Sequence, residues 1–306
     1  VPTRRSSDLY LNSGGFTQQG GAITATGNGD SGSYGIGSGI SLSGDFIQQG
    51  GDFTATGNGG SDSYGHGISL GGDFAQEGGT ITATGNAGSG SGDLGAGIYL
   101  YGDAASFSQS GGAIIATGNG VANSAIGYGI YLEGINASFS QSGGFISAEA
   151  INRGRGIYLS ASDFNQGPDG VLRLLPGDGS GYAVYLSSGD FIGSGTLAPG
   201  VDLAAGASGV IGQIYLNGGG ATINPGAQLT PILINSLALA KGTGTGPLTF
   251  MDADGIITGA YPAPADTLTM HYTLSKTNND GLYNLAIERT AAVSDVVSGD
   301  NNTRMA

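Results

Sequence analysis

The chain has no cysteine and no tryptophan, and of its 306 residues only 9 are Lys or Arg and 2 are His. Without cysteine there is neither a disulfide framework nor any thiol chemistry. The few cations are scattered and form no stripe, while the net charge is −14. Phosphate neutralisation is therefore not available, which excludes nucleic acid as a partner, and an anionic membrane surface would repel the chain. Apolar runs of about 18 residues are absent, so no segment crosses a bilayer as a helix.

Glycine is plentiful, at 63 residues. It follows no three-residue period, which excludes collagen, and Phe, Ile, Leu and Ala recur among the glycines at regular intervals. The clearest periodicity is a triplet of Ile, Leu or Val, any residue, then Leu. It occurs at Leu9–Leu11, Ile40–Leu42, Ile68–Leu70, Ile98–Leu100, Ile130–Leu132, Ile157–Leu159, Val184–Leu186 and Ile214–Leu216, at intervals of 27 to 32 residues. A fixed period of this length denotes a stacked array.

Within each period the parts return in order. Phe16, Phe46, Phe74, Phe107, Phe139, Phe164 and Phe191 open a second strand, and Gln18, Gln48, Gln76, Gln109, Gln141 and Gln166 follow two residues later. A Gly pair then makes a corner. In the third strand Ile23, Phe53, Ile81, Ile114 and Ile146 share a face with Ala25, Ala55, Ala83, Ala116 and Ala148, and Thr24, Thr54 and Thr82 point the other way. Asn28, Asn58, Asn86 and Asn119 close that strand and are placed to stack as an amide ladder. Three short strands with corners make one turn of an all-β, parallel β-helix, expected to be right-handed. Eight turns at the strand spacing give a column roughly 38 Å tall.

The repeats occupy residues 10–216. After Leu216 the composition changes, and residues 217–290 read as altered rungs followed by a β-rich cap whose hairpins include LTFMDAD, DTLTMHYTLSK and GLYNLAIER. Residues 195–290, with their longer aliphatic runs, are the expected folding template. Residues 291–306 read as a linker. At the other end, PTRRSSDL at residues 2–9 resembles a translated sequencing adapter, so residues 1–9 are expected to be foreign and the natural chain to begin near Tyr10.

The Gly-rich repeat, GTLAPG at 195–200, YNLAIERT at 283–290 and the tail AAVSDVVSGDNNTRMA resemble the passenger and junction of bacterial autotransporters, the type V secretion proteins. The resemblance implies a surface-displayed β-helix that acts as an adhesin and is tethered to the outer membrane by a C-terminal β-barrel. That barrel would follow the residues given, and this fragment would itself lie outside the membrane. The implied partners are a host or environmental glycan or protein, or a second copy of the chain.

Chemistry-bearing residues are sparse. Asp45, Asp73, Asp163 and Asp190 recur just before the Phe and read as turn residues that satisfy backbone donors rather than as catalytic acids. His66 and His271 stand alone, without nucleophile partners or metal-ligand spacing, and read as surface or loop residues. GDGSG at 177–181 offers only a weak Ca²⁺ signal. No catalytic residue, cofactor or metal site is assigned. The variable loops 29–39, 59–67, 87–97 and 120–129 are the expected contact edge, with Tyr34, Tyr64 and Tyr128 at their tips, acting together with a polar surface of Gln, Thr and Asn. Two alternatives are a polysaccharide-degrading β-helix enzyme and an ice-binding-like solenoid displaying a TxT array at Thr24/Thr26, Thr54/Thr56 and Thr82/Thr84, which fails at Ile115 and Glu149.

Overall fold

The computed structural model describes residues 9–11, 13–29, 35–121, 125–152, 154–175, 182–203, 210–277 and 281–291. The eight triplets stack in one parallel sheet, each in register with the next, from Leu9↔Ile40 through Val184↔Ile214. They bound about seven full turns of a parallel β-solenoid. The Phe and Ala strands of each turn stack likewise in a second parallel sheet. The expected parallel β-helix is thus the fold.

One rung carries no triplet signature. Leu248–Ala253 lies parallel on Ile214–Leu216, placing Met251, Asp252 and Ala253 over Ile214, Tyr215 and Leu216. This corrects the reading of LTFMDAD as part of a hairpin: on one side it is a further parallel rung. Its other edge pairs antiparallel with Leu282–Arg289, which in turn pairs with Met270–Lys276. The switch to antiparallel pairing ends the column.

Alternation dictates the interior. In the Phe strand, Phe at position i and Gln at i+2 fall on one face, and both are buried except for the half-buried Phe16 of the first rung. The phenyl rings form a continuous file from Phe16 to Phe191 with centroids 4.3 to 5.4 Å apart. Each buried Phe contributes about 1.5–3 kcal/mol by burial, and its stacking about 0.5–1.5 kcal/mol more. Ordering costs about 1–2 kcal/mol per residue, so a Gly-rich rung of some thirty residues cannot stand alone. Only stacking on neighbours completes its core.

Each corner follows from backbone angles. The second glycine of each pair has positive φ: 75° at Gly21, 79° at Gly51, 78° at Gly79, 74° at Gly112 and 78° at Gly144. A different requirement fixes the glycine of the Thr-Gly-Asn segment. At Gly85 a Cβ would lie inside the backbone of Ala96, because the third strand and the next turn's triplet strand pinch together there.

The glutamines contradict their assignment to a polar surface. Gln18, Gln48, Gln76, Gln109, Gln141 and Gln166 are all at most 3% exposed. Gln48, Gln76, Gln109 and Gln141 each donate from Nε2 to Oε1 of the preceding Gln, at 2.9 to 3.3 Å. Each amide also donates to a corner-glycine carbonyl in its own rung and to a carbonyl of the following rung; for Gln76 these are Gly79 and Ala113, at 3.2 and 3.0 Å. The ladder stops at Gln141: Gln166 donates to Gly170 and Thr196 instead, and the Oε1 atoms of Gln141 and Gln166 both have no partner in the protein. From Gln166 to its corner glycine, Gly170, is four residues rather than three, and the register shifts between Gln141 and Gly143.

Candidate functional site

The outer surface holds three kinds of ladder. The asparagines stack as expected, Asn58 donating to Asn28 at 2.8 Å, Asn86 to Asn58 at 2.6 Å, and Asn119 to Asn86. The aspartates clasp successive rungs: Oδ1 of Asp45 accepts from the Asp73 amide at 3.0 Å, and Asp73 from Ser106 at 2.7 Å. Asp163 accepts from Asp190 at 2.8 Å, and Asp190 from Gly220 at 2.7 Å. These carboxylates therefore satisfy backbone donors, as the sequence implied. Thr24, Thr54 and Thr82 stack in register up to Ile115, and Thr26, Thr56, Thr84 and Thr117 up to Glu149.

An aromatic surface lies elsewhere, on the outside of the triplet sheet. The central residue of every triplet points outward, and in five consecutive rungs it is tyrosine. Tyr99, Tyr131, Tyr158, Tyr185 and Tyr215 form a file with centroids 5.2, 5.1, 5.4 and 5.4 Å apart. A second file stands beside it, three residues earlier in each strand: His66, Ala96, Tyr128 and Arg155 are in register, and Tyr182 packs against Tyr185 and Tyr215. The Arg155 guanidinium sits 4.9 Å from the Tyr158 ring and 4.0 Å from that of Tyr185, and donates to the Tyr128 hydroxyl at 3.3 Å. Cation–π contacts of this kind are worth about 0.5–1 kcal/mol at exposed sites. The Tyr99 hydroxyl donates to Glu133. Burial, and then this bond, hold the Tyr99 phenol well above its ordinary pKa.

The tyrosine file has a gap. In the two rungs before Tyr99 the central residues are Ser69 and Ser41, and the next outward ring is Tyr10. The gap forms a trough of about 470 Å³, lined also by Ser38, His66 and Tyr101. His66 is 2% exposed, and neither ring nitrogen has a hydrogen-bond partner in the protein. Burial pushes its pKa down to about 4.

The expected contact tips fare unevenly. Tyr34 lies outside the described residues, as does GDGSG at 177–181. Tyr64 begins the strand Tyr64–Leu70 and stacks on His66 with centroids 6.2 Å apart. Tyr128 is buried inside Ile126–Leu132, against Tyr131 and Tyr158, and is not a loop tip. The cause is shared: the glycines read as loop ends continue the triplet strand, so the loops end at residues 63 and 93 rather than 67 and 97. His66 is likewise a buried strand residue. His271 is exposed in the cap strand and pairs with Asp266 at 2.8 Å.

Protein-family models, curated proteins and solved structures give no match to this chain. Among the described residues no group of His, Asp or Glu is arranged to hold a metal, and no helix is long and apolar enough to cross a membrane. The fold defines the molecule as a parallel β-solenoid with an outward tyrosine face.

Proposed function

We propose that the chain is a non-enzymatic adhesive solenoid, displayed on a bacterial surface as an autotransporter passenger and attaching through its tyrosine face to glycan or protein or to another copy of itself. The single observation that carries this reading is the file of five neighbouring tyrosines, Tyr99 to Tyr215, on the outside of the triplet sheet. Such a file offers amphipathic rings at one fixed spacing along the column. Many weak, identical contacts then add as in any multivalent binder. The recurrent aspartates, engaged with backbone amides, supply no acid–base pair that would favour an enzyme.

The test is display on a β-barrel anchor in a non-adherent host. The wild-type chain should raise attachment or cell aggregation. Changing Tyr131, Tyr158 and Tyr185 together to Ser, the residue the same position already carries at 41 and 69, should reduce it several-fold. Unchanged attachment would overturn the assignment of the face, and polysaccharide hydrolysis abolished by a single Asp→Asn change would replace adhesion with enzymatic degradation.

A further inference from the structure

The trough at Ser41 and Ser69 differs from the rest of the tyrosine face in being concave, uncharged and polar at its floor. Its volume, about 470 Å³, falls in the range of small-molecule sites. Three of the most exposed large apolar side chains of the protein, Tyr10, Ile36 and Tyr101, rim it. Exposed rings gathered around a concavity mark a binding surface more often than scattered ones do. Hydroxyls of Ser38, Ser41 and Ser69 supply donors and acceptors in the floor. The His66 ring, packed between Tyr64 and Tyr99, closes one side of the trough, and both of its nitrogens are covered by protein.

Those properties select a ligand class. Charged ligands find no counter-charge, since no lining residue is acidic, Lys or Arg. A purely apolar ligand would leave the serine hydroxyls unmatched. What fits is a flat ring with one apolar face and a rim of hydroxyls. Two rungs lack their tyrosine, and a pyranose in an extended β-1,4-linked chain advances by close to the ~4.8 Å strand spacing.

We propose that the trough is a subsite for two consecutive units of a neutral, β-linked glycan, seated between Tyr10 and Tyr99 over Ser41 and Ser69 and hydrogen-bonded by the serine hydroxyls. The glycan chain continues along the tyrosine file. The inference rests on the tyrosine face being the binding face, and it names the ligand there.

Cellobiose is the probe, titrated against the full chain and followed by tyrosine fluorescence and saturation-transfer NMR. Wild type should bind saturably. Ser69→Tyr, which extends the tyrosine file into the gap, should weaken binding at least about tenfold, and Ser41→Ala, which removes a hydroxyl from the floor, should weaken it several-fold. Leu268→Ala, an exposed side chain in the cap away from the tyrosine face, should leave it unchanged. Absence of saturable binding to wild type, undiminished binding to Ser69→Tyr, or an equal loss in Leu268→Ala would each overturn the subsite. If cellobiose fails in this way while the triple Tyr→Ser change still lowers attachment, the subsite alone is wrong. If cellobiose binds as expected while attachment is indifferent to the tyrosines, the adhesive reading alone is wrong.

Discussion

Replacing Gln76 with Leu isolates the buried amide ladder, because Leu keeps the volume and removes the polar group. Gln76 donates to Gln48 at 3.0 Å, to Gly79 at 3.2 Å and to Ala113 at 3.0 Å, and accepts from Gln109 at 2.9 Å. Gly79 keeps a backbone donor from Ala113, and Gln109 keeps its bond to Phe145, so neither is stranded. Oε1 of Gln48 loses its ladder donor. At about 1 kcal/mol for each bond lost and about 1–3 kcal/mol for a stranded buried acceptor, less the apolar gain of leucine, the change should cost about 2–4 kcal/mol. Gln166→Leu provides the internal comparison. That amide makes only two donations, to Gly170 and Thr196, and its Oε1 is already unpartnered. Removing it takes away a liability together with two bonds, so its cost should be about 2 kcal/mol smaller. Urea unfolding followed by far-UV circular dichroism, with amide exchange at the neighbouring rungs, reads the difference. Equal costs within about 0.5 kcal/mol, or the reverse order, would refute the ladder as a stabilising element.

Two further outcomes follow from the same geometry. Gly85→Ala places a Cβ in the Ala96 backbone and should cost about 1–3 kcal/mol or more, whereas Gly246→Ala, with open space at its Cβ, should be nearly neutral by the same unfolding assay. The two histidines should tilt the pH profile of stability in opposite directions. His66, buried and held at about 4 against an unfolded value of 6.5, costs stability as pH falls through that window, by roughly 3 kcal/mol at full protonation, and His66→Ala should flatten the loss. The Asp266 hydrogen bond raises the His271 pKa, so its contribution is present below the unfolded value and fades as pH rises through the folded one; Asp266→Asn and added salt should both erase that trend.

The fold was legible because repetition turns a weak local signal into a strong one. A single Phe-x-Gln segment says little, yet six of them in order place a strand, and the register pairs each with the next. The inward position of the glutamines was equally available: a residue two places from a core phenylalanine shares its face. Polarity argued the other way. Solvation normally decides for an isolated amide, but a file of amides supplies its own donors and acceptors, so burial costs little. The ninth rung was hidden because Met251, Asp252 and Ala253 match the triplet neither in their first residue nor in their last. Contact with Ile214–Leu216 and closure by Leu282–Arg289 hold it there instead.

The same arithmetic of faces bears on the site. Loops are the natural place to look for contact because they vary, and Tyr64 and Tyr128 sit where variable segments end. The triplet sheet is the better candidate, for a reason the sequence does contain: inward Ile and Leu at the first and third positions force the second position outward, and there the letters run Tyr, Ser, Ser, then five times Tyr. Only the two serines break the run, and they coincide with the trough. His66 could not be placed this way. It precedes the triplet across Gly67, where a Cβ would meet the backbone of Thr84, and its ring packs between Tyr64 and Tyr99 at the side of the trough. A solenoid thus writes its core and its outer files in the period, while the departures from the period, where a ring is missing, are where specificity for one ligand has room to reside.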